Sequence, residues 1–284
     1  MKYKLVQDAY GKNAINLSKV TRHEAYHEFR QISVNVSLQG DFETVYTQGN
    51  NRKILPTDTQ KNTVYALAKD HFVSSIEDFA IHLANHFFSN NPQVSQTTIE
   101  ITEHLYSRMS FDGSEHPHTY QSKGNEKHVT TVVQDAHKTS VTSGIKGLLI
   151  LKTTNSAFTD YIKDRYTTLK ETTDRIFATE CEATWVYNSY KLNFAELFEK
   201  VRNACLRTFA FHNSLSVQQT LYAMGEAVLE ENPEIKEISL IMPNKHHIPF
   251  NLQQFGMEND NEIFIATDEP FGYITGTITR EEEN

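Results

Sequence analysis

Cysteine is almost missing from this chain: Cys181 and Cys205 are the two thiols in 284 residues. Two thiols cannot build a disulfide framework, and neither has a second thiol at metal-ligand spacing, so both are expected to be reduced. Basic charge is in short supply too. Lys and Arg total 27 against 36 Asp and Glu, a formal net charge of −9, with no basic run. Such a balance excludes a protein built to grip a phosphate backbone, and no nucleic acid is expected among its partners. With 11 Gly and 7 Pro spread along the whole length, low-complexity disorder is excluded. No apolar run approaches the ~20 residues of a membrane span. The opening MKYKLVQDAYGKNAIN lacks an apolar signal segment, and the final REEEN is no peroxisomal address. The expectation is a cytoplasmic protein with no membrane partner. A Gly-rich phosphate loop and a G-x-S-x-G elbow are also lacking.

Large aromatic side chains are well supplied, 17 Phe and 13 Tyr, enough for a sizeable core. A length of 284 residues suggests two domains, and an internal repeat strengthens that reading. Ser75–Ile101 aligns without a gap on Ser216–Met242, at an offset of 141 residues. Asn91-Pro92 then falls on Asn232-Pro233, Val94 on Ile235 and Ile99 on Leu240. Lys61-Asn62 falls on Arg202-Asn203 and His71 on His212 in the same register. The chain reads as one unit used twice, residues 1–136 and 137–284.

Each unit has a helix with one wet and one apolar face. Ile76, Phe79, Ala80, Leu83, Ala84 and Phe87 form the first stripe, and Val217, Thr220, Leu221, Met224, Val228 and Leu229 the second. Ser75 with Asp78, and Ser216 with Gln219, have capping-box spacing, and Asn-Pro ends both helices. Alternation from Ile32 to Tyr46 marks a long strand with one buried face. Ile99/Ile101, Ile145–Leu151, Ile238/Leu240 and Ile263–Thr267 read as further strands. Each half then runs strand, strand, helix, helix, strand, strand. That is an α+β fold with helices on one face of an antiparallel sheet. Open sheet edges predict an oligomer.

Thirteen histidines prompt a search for metal ligands. His82 and His86 lie at i, i+4, yet no Glu follows His82, and the simpler reading is a pair of partly buried helix histidines. His116-Pro-His118, after Asp112-Gly113, reads as a polar loop. Composition and spacing alone stop at an α+β protein with tandem repeats.

Four segments carry a resemblance. They are Tyr10-Gly11-Lys12; Thr57-Asp58 followed by Lys61-Asn62-Thr63; Tyr166-Thr167-Thr168-Leu169-Lys170-Glu171-Thr172 with Asp174-Arg175; and Asn244-Lys245-His246. Together with Phe158 and Ser216-Val217-Gln218, they resemble urate oxidase (the uricase family) in order and approximate spacing, from Tyr10 to about Ile274. The resemblance implies the tunnelling fold, with two tandem ββααββ units per chain and subunits assembled into a barrel. It implies oxidation of urate by O2 and water to 5-hydroxyisourate and hydrogen peroxide, in urate degradation, with no cofactor and no metal. It implies a homotetramer whose active sites lie at subunit interfaces.

The resemblance also implies roles. Arg175 and Gln218 would clamp the purine in its plane, the guanidinium as a fixed fork of donors and the amide as one donor beside one acceptor. Phe158 would be the stacking platform, and Val217 would contribute through its backbone. Lys12, Thr57 and His246 would form a proton relay. A hydroxyl is a poor base, so Thr57 must hand its proton on. Lys12 can take it only as a neutral amine, and a histidine at the far end can change state near neutrality. Asn244 with Thr57 would hold water or O2 over the ring, and Asp58 would position substrate through its N–H. Taken without the family, Arg175 reads as a surface arginine paired with Asp174 or Glu171, Phe158 as a buried Phe, and Lys12 as a solvated lysine. The chain departs from the family's usual pattern at Pro56, which stiffens the loop before Thr57, and at His247-Ile248, where an aromatic pair is usual. Two other readings remain open. One is a zinc-dependent tunnelling-fold enzyme acting on pterins or another purine. The other is a non-catalytic purine-binding homologue, expected to lose Lys12 or Thr57 while keeping Arg175 and Gln218.

Overall fold

The computed structural model describes residues 3–281. The chain packs as two compact units. One runs to Gly144 and takes in Val186–Phe198; the other is Ile145–Trp185 with the chain from Glu199 onward.

In the first unit, strands β1 (Tyr10–Arg22) and β2 (His27–Gly40) lead into a short helix α1 (Glu43–Gln48) and then helices α2 (Thr57–His71) and α3 (Ile76–Asn90). Strands β3 (Val94–Phe111) and β4 (Ser114–Asp135) follow, in the antiparallel order β1–β2–β3–β4. The β3–β4 hairpin turns on Asp112-Gly113, both at positive φ, with Phe111 opposite Ser114. A two-residue loop of that kind matches the right-handed twist of the strands it joins. His116 and His118 therefore stand on β4, not in a loop, with their rings edge to face at 4.6 Å.

The predicted strand from Ile32 to Tyr46 stops at Gly40. Asp41 N–H there turns to Gln93 O at 2.9 Å, and the next residues coil into α1. Phe42 keeps its predicted burial, whereas Tyr46 is exposed. Period-2 alternation cannot by itself separate a strand's end from one helical turn that buries its first aromatic.

The second unit holds most of β5 (Thr139–Lys152), β6 (Phe177–Tyr187) and helix α4 (Phe194–Phe211), with helix α5 (Val217–Glu231) and β7 (Ile235–Ile241). Beyond β7 come β8 (Asn244–Pro249), β9 (Phe264–Gly272) and β10 (Thr275–Thr279). β10 closes the repeat by pairing with β7, and β8 pairs instead with β6 and β9. So the second repeat keeps the strand-strand-helix-helix-strand-strand order, with a β8–β9 hairpin set into its last connection.

The repeat is structural as well as sequential. α3 and α5 have equal lengths and stand at the same register. Ser75 accepts from Asp78 N–H and Ser216 from Gln219 N–H. Asn91 and Asn232 each donate their side-chain amide to the carbonyl four residues back, at 2.8 and 2.9 Å. The predicted stripes are buried in full: Phe79, Leu83 and Phe87 on α3, and Val217, Met224 and Val228 on α5. Each such side chain contributes roughly 1.5–3 kcal/mol by leaving water. Among the described residues, no helix is long and apolar enough to cross a membrane.

Candidate active site

Thr57 opens α2, with Pro56 extended in front of it at φ −53° and ψ 140°. The first helical hydrogen bond runs from Gln60 N–H to Pro56 O at 3.1 Å. The N–H groups of Thr57 and Asp58 therefore lie ahead of the helical ladder, without an acceptor inside the helix. Asp58 suits the positive end of the helix dipole. Its carboxylate accepts from Lys61 Nζ at 2.5 Å and Asn62 Nδ2 at 3.0 Å. Lys61 foremost, then Asn62 and Lys12, hold that carboxyl below its ordinary range. Lys12 thus lies within electrostatic reach of Asp58, inside the first unit.

Two anchors fix α2. At its start, the Tyr10 hydroxyl accepts Leu55 N–H at 2.9 Å while its ring packs edge-on against buried Phe42 at 4.8 Å. At its end, Lys19 Nζ donates to the carbonyls of Ala68, Lys69 and Phe72 at 3.0, 2.9 and 2.7 Å. Gly11 lets β1 lie this close to β2, because a Cβ there would meet Val36 O at 1.8 Å. The Tyr-Gly-Lys triplet is therefore one device: an anchor, a close approach, and the lysine it presents.

In the second unit, Phe158, Arg175, Asn244 and His246 line one cleft of about 630 Å³, together with Leu169, His247 and Ile248. Small-molecule sites usually span roughly 300–1,000 Å³. The Arg175 guanidinium carbon lies over the Phe158 ring, 5.2 Å from its centroid. Arg175 is half-buried, and burial lowers its pKa while its Nε has no hydrogen-bond partner. The pairings open to it in the sequence are taken elsewhere. Glu171 holds Lys163 at 2.6 Å, and Asp174 accepts from the Thr154 hydroxyl at 3.1 and 3.0 Å. A half-buried guanidinium with an unused donor, beside a flat ring, has the chemistry to receive a planar anion.

Asn244 and His246 reach the cleft because β8 is a strand, which the sequence reading did not anticipate. Between them, Lys245 turns to Asp268 at 2.9 Å and Glu180 at 3.5 Å, as strand alternation requires. The partner strand β9 bulges opposite, with Asn244 facing Gly272 and His246 facing Thr267.

Val217 and Gln218 form the first turn of α5. Val217 is buried, so its backbone is what it can offer, and Gln218 is exposed and lies outside the residues lining the cleft. The turn before them is tied to the segment carrying Phe158: Ala157 N–H meets Ser214 O at 2.7 Å, and Ser214 N–H meets Asn155 O at 3.0 Å. In the first repeat, the register of Gln218 is held by Glu77, which is buried on His128.

Among the described residues, no group of three or more His, Cys, Asp or Glu side chains is placed to hold a metal ion. His82 stacks on His71 with ring centroids 3.7 Å apart, and burial, then His71 and His86, lower its pKa. Cys181 and Cys205 are free and buried, and burial pushes the Cys205 thiol up to about 12.

Comparison with known proteins bears on the family and the fold. A family model described as uricase matches residues 8–133 and 141–275. A uricase of Arthrobacter globiformis is 42% identical over 277 residues, covering 98% of this chain and 90% of that protein. A uricase of Cyberlindnera jadinii is 35% identical over 296 residues, covering 98% of each. The crystal structure of the Arthrobacter globiformis uricase matches with a TM-score of 0.94 at 40% identity, over 100% of this chain and 97% of that one.

Proposed function

The chain belongs to the uricase family and is a urate oxidase, and we propose that it works by a clamp in its second unit completed by a relay from its first. The reaction is urate + O2 + H2O to 5-hydroxyisourate + H2O2. Urate gives up two electrons and gains a hydroxyl from water, and O2 takes up two electrons and two protons. The family's tunnelling fold accounts for the two tandem halves, residues 1–136 and 137–284, and for the α+β layering.

Substrate capture falls to Arg175, Gln218, Phe158, Val217 and Asp58. The observation that supports this is the half-buried guanidinium of Arg175 over Phe158, with an Nε that has no hydrogen-bond partner. In a protein of net charge −9 it is also the local reason an anion is held. Thr57, Lys12 and His246 move the proton that leaves an electron-rich ring, and Asn244 holds O2 or water above it. Lys12, Thr57 and Asp58 belong to one unit and the cleft to the other. In a homotetramer, first-unit residues of one subunit would meet the second-unit cleft of its neighbour, so that each site is shared. No cofactor is needed: the electrons pass from urate to O2 directly. A cytoplasmic setting fits this reading.

The test is loss of urate's ultraviolet absorbance with purified protein, with and without chelator, alongside O2 uptake and peroxide release. Turnover unaffected by chelation is expected. Activity that vanished on chelation and returned with zinc or copper would overturn the proposal and favour a metal-dependent relative. Binding of urate without turnover would favour a non-catalytic binder.

A further inference from the structure

Phe158 N–H donates to Thr172 O at 2.8 Å, and Thr172 N–H donates to Phe158 O at 3.1 Å. The two bonds close residues 158–172 into a surface loop and fix the backbone at Phe158. They do not fix the ring, which retains rotation about its own side-chain bonds. A platform whose plane is set only when ligand arrives binds more weakly, because ordering it opposes association.

Tyr161 supplies the missing constraint. Its ring lies nearly parallel to that of Phe158, with centroids 4.8 Å and planes 14° apart. Its hydroxyl donates across the loop to Leu169 O at 2.7 Å. Lys163 Nζ lies over the Tyr161 ring, 5.5 Å from its centroid, and is held in turn by Glu171 at 2.6 Å. Phe158, Leu169 and Arg175 all line the cleft, and Tyr161 does not. The tyrosine ring therefore covers Phe158 away from the space that substrate would enter, while its hydroxyl ties that ring to another part of the cleft wall.

We infer that Tyr161 is a positioning residue for urate: it acts through Phe158, holding the platform ring at the angle at which a flat anionic purine stacks. This rests on the reading of Phe158 as the stacking platform. A role confined to loop stability would lower the melting temperature without respecting Phe158. A positioning role appears in KM and disappears once the platform is gone.

The experiment is a double-mutant cycle on the assembled enzyme, reading KM and kcat for urate. Tyr161→Leu should raise KM about three- to tenfold, the range for a lost aromatic pair, with kcat within about twofold. Tyr161→Phe keeps the ring and loses only its tie to Leu169 O, so its KM should rise by less than that of Tyr161→Leu. Phe158→Leu should raise KM, and adding Tyr161→Leu to it should change KM by less than about twofold further. Tyr161 is half-exposed on a surface loop, so the core does not depend on it; if Tyr161→Leu does not assemble, Tyr161→Met carries the same test. An unchanged KM in Tyr161→Leu, or a full added effect in the double variant, overturns the inference while leaving the platform intact. An unchanged KM in Phe158→Leu overturns the platform itself, and the inference with it.

Discussion

Replacing His128 by Gln should remove the pH-dependent stabilisation that this buried imidazole supplies. Glu77 is 0% exposed, His128 5% and Glu103 7%. His128 Nε2 meets Glu77 Oε1 at 2.8 Å, and its Nδ1 lies 3.7 Å from Glu103 Oε2. Ser143 also donates to Glu77, and Arg30 grips Glu103 with two donors at 2.6 and 3.0 Å. Phe198 stacks on the imidazole at 3.7 Å. Burial alone would push His128 down, but the Glu77 and Glu103 carboxylates outweigh it and hold the pKa up at about 9. Burial would push Glu103 up, but His128 and Arg30 outweigh it and hold it down at about 2. A histidine raised from about 6.5 to about 9 contributes on the order of 3 kcal/mol. The folded pKa is the higher, so that contribution is complete below about pH 6.5 and is lost as pH rises through about 9. Glu103 behaves oppositely: its contribution is present above about pH 4.5 and is lost as pH falls through about 2. Thermal unfolding at one fixed protein concentration, from pH 6 to about 10, reads the effect while holding assembly constant. The gap between wild type and His128→Gln should be widest near pH 6 and should narrow by about 3 kcal/mol toward pH 10. A gap that stays constant across that range would show that no charged imidazole is buried there.

Arg175→Ala should raise KM for urate by about ten- to a hundredfold with kcat little changed, because the lost charged hydrogen bond serves binding. Thr57→Ala and Lys12→Met should instead lower kcat at least about tenfold, and a kcat within about twofold of wild type in Thr57→Ala would remove it from the relay. Tyr10→Phe deletes the acceptor of Leu55 N–H and should lower kcat about three- to tenfold at little cost in stability, roughly 1 kcal/mol; an unchanged kcat would show that Thr57 needs no such anchor. Inactive Thr57→Ala chains refolded together with inactive Arg175→Ala chains should recover part of the activity. Verified mixed oligomers with no recovery would refute a site shared between subunits.

Features set by neighbours a few residues away were legible in the sequence. The Ser75 and Ser216 caps, the two buried stripes and the common register of α3 and α5 depend on local periodicity, and all stand where it put them. The site was legible in another way: the spacing of Tyr10-Gly11-Lys12, Thr57-Asp58, Arg175 and Asn244-Lys245-His246 resembles one family. Composition alone would have paired Arg175 with Asp174 or Glu171. That alternative fails because Thr154 and Lys163 take those carboxylates, which no local rule could indicate.

Local chemistry therefore placed α3 and α5, their starts and their recurrence at one register, while the order of the motifs carried the resemblance to one family. Only the tertiary structure decided that Asn244 and His246 ride on a strand, because β8 has little apolar alternation and is held by pairing with β6 and β9. Only the tertiary structure turned Glu77, which reads as an ordinary first-turn acid, into a buried partner of His128 51 residues away. Glu77 and Gln218 share one register in the repeat, yet one is sealed in the first unit and the other is exposed on the second. The reason is physical: periodicity says which face of an element turns inward, but the groups that meet it there come from strands whose register is set by long-range pairing.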